Sequence, residues 1–216
     1  MLNRITMLKI LIVDDFPVLR NGVKSVFDDQ TDEVVFGEAS DAPHALELVR
    51  RENWDVMVLD ISLSRRNGLE VLKETKQIRP KLPVLILSMH SEKQYARRAF
   101  KAGAAGYITK DSSRTDLLRA IHKVIAGGRY VSASLAELLV VDIERGTGGP
   151  PHESLSDREF EVMCLIASGK TVTEIAELLS LSDKTISTYR ARILEKMDMK
   201  TNAEVTYYAI KNKLVF

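Results

Sequence analysis

The chain has 216 residues, of which 45% are hydrophobic and 28% charged, and its formal net charge is +1. That length suffices for one large domain or two small ones, and the near-zero charge excludes a general electrostatic attraction to nucleic acid or membranes. The single cysteine, Cys164, excludes an internal disulfide framework, and the absence of a secretory signal or of an apolar run near ~20 residues favours a cytoplasmic protein.

Short apolar runs alternate with longer amphipathic stretches from residue 8 to residue 127. Strands are predicted at 8–13, 33–37, 55–59, 83–87 and 106–109. Helices are predicted near 17–29, 42–52, 68–78, 92–103 and 113–126. Because the apolar runs are continuous, they indicate a parallel sheet covered on both faces. The pattern therefore predicts an α/β fold, a flavodoxin-like (βα)5 doubly wound parallel sheet.

A change of pattern follows this first region. A further helix is predicted over 132–145, and the cluster of glycine and proline at 146–151 is typical of a linker. After it we find no strand pattern and expect a small all-α domain of four helices. These helices are predicted near 157–168, 172–179, 183–197 and 202–213. The predicted organisation is a domain at 7–128, a linker with a possible helix at 129–153, and a helical domain at 154–216.

Helix starts in the second domain carry N-terminal capping signals. Three pairs match the capping box: Ser156 with Glu159, Thr171 with Glu174, and Thr201 with Glu204. Ser182 is a fourth predicted N-cap. The connection at 180–182 has only a few residues, which favours a helix-turn-helix.

Charged and polar residues follow the predicted strands where each one ends. Asp14 and Asp15 follow the first strand, Asp60 the third, Ser88 the fourth and Lys110 the fifth. Ligands of parallel α/β sheets bind at the carboxyl ends of the strands, so these groups should converge there. Three neighbouring carboxylates repel one another unless a cation neutralises them, and Mg²⁺ suits such an oxygen-rich site. A carboxylate beside a metal and a lysine is also a competent nucleophile toward a phosphoryl group.

The helix predicted at 183–197 has two different sides. Its core stripe is Ile186, Ile193, Leu194 and Met197. Its opposite side carries small hydroxyl or methyl side chains and a few cations, together with Glu195, and this surface suits a DNA major groove. The predicted DNA-binding residues are Lys184, Ser187, Thr188, Ala191, Arg192 and Lys196, with Thr171 and Thr173 at the start of the preceding helix. Residues 154–216 hold nine Lys/Arg and nine Asp/Glu, so a monomer should bind DNA weakly and a dimer more tightly.

These motifs together resemble those of NarL/FixJ-type two-component response regulators, in which a receiver domain precedes a LuxR-type helix-turn-helix. The receiver pattern comprises Asp14, Asp15, Asp60, Ser88, Tyr107 and Lys110. The stretch LSDREFEVMCLIASGKTVTEIAELLSLSDKTISTYRARILEKM follows the LuxR-type pattern along its length. The resemblance implies that Asp60 accepts a phosphoryl group from a histidine kinase or phosphotransfer protein. Mg²⁺ would then be held by Asp14, Asp15, Asp60 and the backbone carbonyl of Ser62.

The same resemblance implies roles around the phosphoacceptor. Lys110 would pair with the phosphoryl group, Ser88 would move to hydrogen-bond it, and Tyr107 would turn inward. Phosphorylation would control binding to double-stranded DNA, with a homodimer at least in the phosphorylated state. The chain would be no enzyme beyond slow autodephosphorylation.

Two positions depart from the family pattern. Phe16 stands where the family usually has histidine, and Leu63-Ser64 stands where it usually has Met-Pro, followed by Arg65-Arg66. The two arginines are either solvated side chains or an influence on kinase docking and phosphoryl lifetime. Two alternative functions remain open from the sequence: a phosphorylation-independent DNA binder whose receiver only docks partners, and an aspartate-nucleophile phosphatase.

Overall fold

The computed structural model describes residues 7–30, 33–63, 66–133, 135–137 and 150–215. These residues form two compact units that divide after Leu135. The strands of the first unit are β1 Leu8–Val13, β2 Val34–Ala39, β3 Val56–Leu59, β4 Val84–Ser88 and β5 Gly106–Thr109. Its helices are α1 Pro17–Ser25, α2 Ala42–Arg51, α3 Gly68–Ile78, α4 Glu92–Lys101 and α5 Arg114–Ile125. No helix among the described residues is long and apolar enough to cross a membrane.

All five strands pair in parallel, in the order β2-β1-β3-β4-β5. Val13, the last residue of β1, is in register with Leu59, the last residue of β3. The amide of Asp60 donates to the carbonyl of Val13 at 2.9 Å. On the other side of β3, the amide of Lys110 donates to the carbonyl of Ser88 at 2.8 Å. The strand ends are therefore level, which confirms the predicted doubly wound sheet and places the groups after them at one edge.

Side chains that alternate along the strands are buried on both faces of the sheet. On one face, α1 and α5 pack against Ile10, Ile12, Val58, Leu85 and Ile108. Right-handed crossovers place α2, α3 and α4 on the other face. Each fully buried aliphatic side chain contributes about 1.5–3 kcal/mol of stability relative to exposure. Packing on both faces therefore stabilises the sheet whose edge carries the polar groups.

Two element boundaries of the first unit differ from their predictions. The helix predicted at 17–29 ends at Ser25, and turns occupy 26–29. Asp28 and Asp29 lie beyond this helix C-terminus, where negative charge opposes the helix dipole. The strand predicted at 33–37 runs over Val34–Ala39 instead. Its Gly37 lies under the ring of Trp54, which leaves no room for a Cβ, so this glycine is a close-packed strand residue rather than a strand end.

The helix predicted at 132–145 falls mostly outside the described residues. Residues 133 and 135–137 are helical, and Leu135 is buried in the first unit. The predicted domain boundaries stay predictions.

The second unit is helical in every described element. A 3₁₀ turn at Pro151–Ser154 precedes α6 Asp157–Ala167, α7 Val172–Leu179, α8 Asp183–Lys196 and α9 Asn202–Lys211. The capping boxes at Ser156 and Thr171 are confirmed. The third is only half formed: the hydroxyl of Thr201 accepts from the amide of Glu204, but the Glu204 carboxylate accepts from the amide of Lys200 instead. The turn between α7 and α8 begins at Ser180 in a left-handed conformation, with φ of 52°.

Candidate functional site

Lys110 joins the ends of three strands. Its Nζ donates to Asp14 Oδ2 at 2.7 Å and to Asp60 Oδ2 at 2.8 Å. The three side chains are no more than 5% exposed, so this is a buried charged cluster. Burial opposes the charge of Lys110, but the hydrogen bonds to Asp14 and Asp60 outweigh it and raise its pKa. Lys110 therefore stays a cation at neutral pH.

Asp60 is the most deeply placed carboxylate of the cluster. Burial raises the pKa of Asp60 above its ordinary value, although the hydrogen bond from Lys110 opposes the shift. The amide of Ser62 donates to Asp60 Oδ1 at 3.1 Å, so the backbone turns around the carboxylate. The carboxylate is thus oriented by two donors in surroundings that disfavour its negative charge. Such a group gains from an added cation.

The acidic residues meet the first requirement of a metal centre. One carboxylate oxygen from each of Asp14, Asp15 and Asp60 lies within 4.8 Å of the other two. Oxygens on an octahedral Mg²⁺ lie about 3–4 Å apart, so small side-chain movements would complete the donor set. The donors are hard carboxylate oxygens, which fit Mg²⁺ better than a softer metal. The Ser62 carbonyl stays a predicted fourth ligand.

The predicted hydroxyl groups lie on the other side of β3. Ser88 is buried, and its Oγ accepts a hydrogen bond from the amide of His90 at 3.1 Å. Tyr107 is fully buried, and its hydroxyl donates to the carbonyl of His90 at 2.8 Å; its inward turn on phosphorylation stays a prediction. Burial raises the pKa of Tyr107, so its hydroxyl stays a donor. Both hydroxyl groups therefore hold the loop after β4.

His90 is a site residue that the sequence did not predict. Its Nε2 and the Oγ of Ser62 share a hydrogen bond at 3.1 Å, and its ring lies 4.6 Å from that of Tyr95. The only sequence signal was its place two residues after Ser88. Through Ser62, it links the loop after β4 to the loop that carries the phosphoacceptor candidate Asp60.

The positions that depart from the family pattern have separate surroundings. Phe16 is 59% exposed, whereas Leu63 is buried. Arg66 pairs with Glu70 and Glu74 of α3, so α3 holds its charge. Ser64 and Arg65 lie outside the described residues.

A second candidate surface lies on α8. Ile186, Ile193 and Met197 are buried, whereas Leu194 is partly exposed. The predicted DNA-binding residues of this helix, namely Lys184, Ser187, Thr188, Ala191, Arg192 and Lys196, are all exposed. The small side chains of Ser187, Thr188 and Ala191 lie between the cations Lys184 and Arg192 along the helix. Such a surface can approach base edges closely.

Contacts within the second unit fix the position of α8. Thr173 Oγ1 donates to Asp183 Oδ2 at 2.9 Å, which joins the N-termini of α7 and α8. Lys196 donates to Glu159 Oε2 at 2.6 Å and so ties the end of α8 to α6. Thr171 is exposed and caps α7.

The sequence missed a further contact of α8. Arg190 Nε donates to Asn202 Oδ1 at 2.6 Å at the start of α9. The helical wheel placed Arg190 on neither side of the predicted helix, so no signal pointed to this contact. With the contacts of Thr173 and Lys196, it holds α8 against α6, α7 and α9.

Comparison with known proteins matches both units. Residues 10–122 match the family model of the response regulator receiver domain, and residues 153–209 match that of bacterial regulatory proteins, luxR family. Response regulator UvrY of Escherichia coli (strain K12) is 32% identical over 209 residues, which cover 96% of each chain. Response regulator GacA of Pseudomonas aeruginosa is 32% identical over 210 residues, 97% of this chain and 98% of GacA.

A solved structure shares the same arrangement of domains along the chain. RcsB from Salmonella enterica serovar Typhimurium, bound to promoter rprA in the presence of the phosphomimetic BeF3−, is 25% identical. The TM-score is 0.60, and the match covers 93% of this chain and 98% of RcsB. The likeness therefore spans both compact units.

Proposed function

The chain belongs to the NarL/FixJ-type response regulators, and we propose that phosphorylation of Asp60 by a partner histidine kinase or phosphotransfer protein controls its DNA binding. The single observation that carries the proposal is the buried cluster of Lys110 with Asp14 and Asp60, beside Asp15. The relatives UvrY and GacA are named as regulators rather than enzymes. We accordingly propose no catalytic turnover beyond slow loss of the phosphoryl group.

Phosphoryl transfer at Asp60 needs a nucleophile and a positive environment. A carboxylate oxygen of Asp60 attacks the phosphorus of the donor, the bond from phosphorus to the donor imidazole breaks, and an acyl phosphate forms. Lys110 Nζ already donates to Asp60 and can pair with the negative charge on the phosphoryl oxygens once the group is transferred. Asp14 keeps a hydrogen bond to Lys110 during this change.

Asp14, Asp15, Asp60 and the carbonyl of Ser62 are the residues that would hold Mg²⁺. Bound there, the ion would neutralise part of the charge on the phosphoryl oxygens. The carboxylates would orient the ion, and the burial of Asp60 would strengthen the attraction between its carboxylate and Mg²⁺.

A phosphoryl group on Asp60 would change the hydrogen bonds of the loop after β4. It adds about −1.5 to −2 charge and three acceptor oxygens at neutral pH. Ser88 Oγ is held by the amide of His90, and Ser62 Oγ by the ring of the same residue. Rotation of Ser88 toward the phosphoryl group would release the His90 segment, which also holds the Tyr107 hydroxyl.

The exposed surface of α8 is the proposed DNA reader. Lys184, Ser187, Thr188, Ala191 and Arg192 would enter the major groove, while Thr171 and Thr173 would approach phosphates. Lys196 would also lie near the backbone, although Glu159 holds its ammonium. RcsB bound to a promoter in the presence of a phosphomimetic supports the proposal that this chain binds DNA. Since residues 154–216 have no net charge, we propose that a homodimer on paired half-sites supplies the affinity.

Phosphorylation itself is tested with the full chain, acetyl phosphate and Mg²⁺. We expect intact-mass spectrometry to show one added phosphoryl group, and Asp60→Asn to abolish it. Asp111→Asn is the matched control because Asp111 is an exposed carboxylate next to Lys110 in sequence. Incorporation that survives in Asp60→Asn would refute Asp60 as the acceptor. Steady release of inorganic phosphate from a phosphomonoester would favour a phosphatase instead.

A further inference from the structure

We propose that Arg20 is a positioning residue for the acidic pair: anchored by Glu38, its guanidinium holds the backbone between Asp14 and Asp15 in the geometry that binds the cation. The proposal rests on the proposed function, because it concerns the same metal site. The described hydrogen bonds of Arg20 reach Glu38 and the carbonyl of Asp14 rather than the phosphoacceptor Asp60. Its effect would pass through the carbonyl of Asp14.

The Arg20 side chain makes two hydrogen bonds in different directions. Nη1 donates to the carbonyl oxygen of Asp14 at 2.7 Å, and Nε donates to Glu38 Oε2 at 2.9 Å. The side chain is only 14% exposed, so water competes weakly for these bonds. A planar guanidinium can make both bonds at once, whereas the single ammonium of a lysine has no such fork.

The carbonyl of Asp14 lies at the point where β1 turns toward α1. The amide of Asp14 donates to the carbonyl of Ala39 at 3.2 Å, and Asp14 Oδ1 accepts from the amide of Phe16 at 2.8 Å. Lys110 also holds Asp14 Oδ2, at 2.7 Å, so the contact with Arg20 is the fourth restraint on this residue and the one on its carbonyl. Together these restraints hold the backbone from which the carboxylates of Asp14 and Asp15 project. Loss of one restraint would let the pair rotate away from the geometry of the metal site.

Glu38 is a suitable anchor for the guanidinium. It lies on β2 in register with Ile12, two residues before Asp14, so the rigid sheet fixes its backbone. Hydrogen bonds from Lys24 and then Arg20 lower the pKa of Glu38, so it is ionised at neutral pH. The bond to Arg20 is thus charge-assisted.

Lys24 provides a matched control within the same cluster. It lies on α1 like Arg20, and its Nζ donates to Glu38 Oε1 at 2.6 Å. It also carries the same charge, but its described hydrogen bond reaches only the carboxylate and not Asp14. Removal of Lys24 therefore reproduces the electrostatic part of an Arg20 substitution without the positioning part.

The sign of the change in cation affinity separates positioning from electrostatics. Removal of a nearby positive charge makes the acidic site more negative and should tighten binding of Mg²⁺. Loss of a positioning contact should weaken Mg²⁺ binding, by about tenfold or more, as is typical when a hydrogen-bond partner of a metal ligand is removed. The two effects change the affinity in opposite directions, so weaker Mg²⁺ binding by Arg20→Met would show the loss of positioning.

The experiment measures Mg²⁺ binding to the full chain by calorimetry at constant ionic strength. We expect Arg20→Met and Arg20→Lys to weaken binding about tenfold, and Lys24→Met to leave it unchanged or tighter. Trp54 is the only tryptophan and lies in the first unit, so its fluorescence during urea unfolding checks the fold of each variant. Should Arg20→Met fail to fold, Arg20→Lys carries the test because it keeps the charge.

Each result bears on a different claim. Unchanged or tighter binding by the folded Arg20 variants would overturn the positioning role and leave the proposed function intact. Equal weakening by Lys24→Met would also overturn it, because the effect would then belong to the whole ion cluster. If the wild-type chain itself binds no Mg²⁺, the metal site of the proposed function fails and the positioning role falls with it.

Discussion

Replacement of Lys110 by methionine should destabilise the first unit strongly. The substitution keeps the aliphatic stem but removes an ammonium that donates at 2.7 Å to Asp14 and at 2.8 Å to Asp60. Each hydrogen bond between charged groups contributes about 1.5–3 kcal/mol, and the remaining carboxylates would be buried without their shared cation. We expect a loss of about 3 kcal/mol or more in the free energy of unfolding.

The loss can be measured by urea unfolding followed through Trp54 fluorescence. A loss of 3 kcal/mol lowers the urea midpoint by about 1–3 M for a domain of this size. Lys24→Met is the control, since its partly exposed ion pair with Glu38 contributes no more than about 1 kcal/mol. A loss in Lys110→Met that does not exceed the control would refute the buried-cluster reasoning.

The stability deficit of Lys110→Met should also depend on pH. Burial already raises the pKa of Asp60, and removal of Lys110 takes away the hydrogen bond that opposes this shift. The folded variant therefore takes up a proton at higher pH than the unfolded chain, and its stability falls as pH rises through the folded pKa. We expect the deficit of Lys110→Met to be smaller at about pH 5 than at about pH 8. A deficit that grows on acidification would contradict the assignment.

Three further substitutions test the second unit. Arg192→Ala should weaken DNA binding about tenfold in fluorescence anisotropy, as the loss of one groove contact requires, while the helical circular dichroism stays unchanged. An unchanged titration would exclude this side of α8 as the DNA-binding surface. Burial opposes ionisation of Glu159, but hydrogen bonds from Lys196 and Ser156 outweigh it and lower its pKa. Glu159→Gln should therefore lower the free energy of unfolding by about 1 kcal/mol at neutral pH, and by nothing once acid has protonated the native carboxylate. A deficit that stays the same at every pH would contradict the ion pair. Ser180→Gly should raise the melting temperature slightly, because it relieves a left-handed conformation, and a lower melting temperature would refute that strain.

The sequence predicted the charged cluster because parallel strands align their carboxyl ends. Asp14, Asp60 and Lys110 follow β1, β3 and β5, so knowledge of the sheet was enough to bring them together. Their contacts needed no further information about loops. Tyr107 came instead from the resemblance to the receiver pattern, and it lies buried in β5.

Contacts that depend on side-chain direction could not be predicted in this way. The bonds from Arg20 to Glu38 and to the carbonyl of Asp14 depend on the rotation of α1 over β2, which periodicity alone does not determine. The bond between His90 and Ser62 depends on the path of two loops. These positions lie between regular elements or across them, where the sequence pattern carries little geometric information.

Local competition explains the misplaced ends. The apolar pattern extended the first helix to residue 29, but it did not count the two aspartates against the helix dipole. Gly37 was interpreted as the end of a strand, whereas the ring of Trp54 explains why a glycine occurs inside it.

A phosphate on Asp60 should change the oligomeric state in which the chain binds DNA. The most direct measurement combines sedimentation analysis with anisotropy titrations on DNA fragments selected by the phosphorylated protein, with and without beryllofluoride and Mg²⁺. We expect beryllofluoride to favour a dimer and to tighten DNA binding about tenfold or more, as paired half-sites allow, and Asp60→Asn to show neither change. Identical mass and identical affinity in both conditions would contradict phosphorylation control and leave a regulator that binds DNA constitutively.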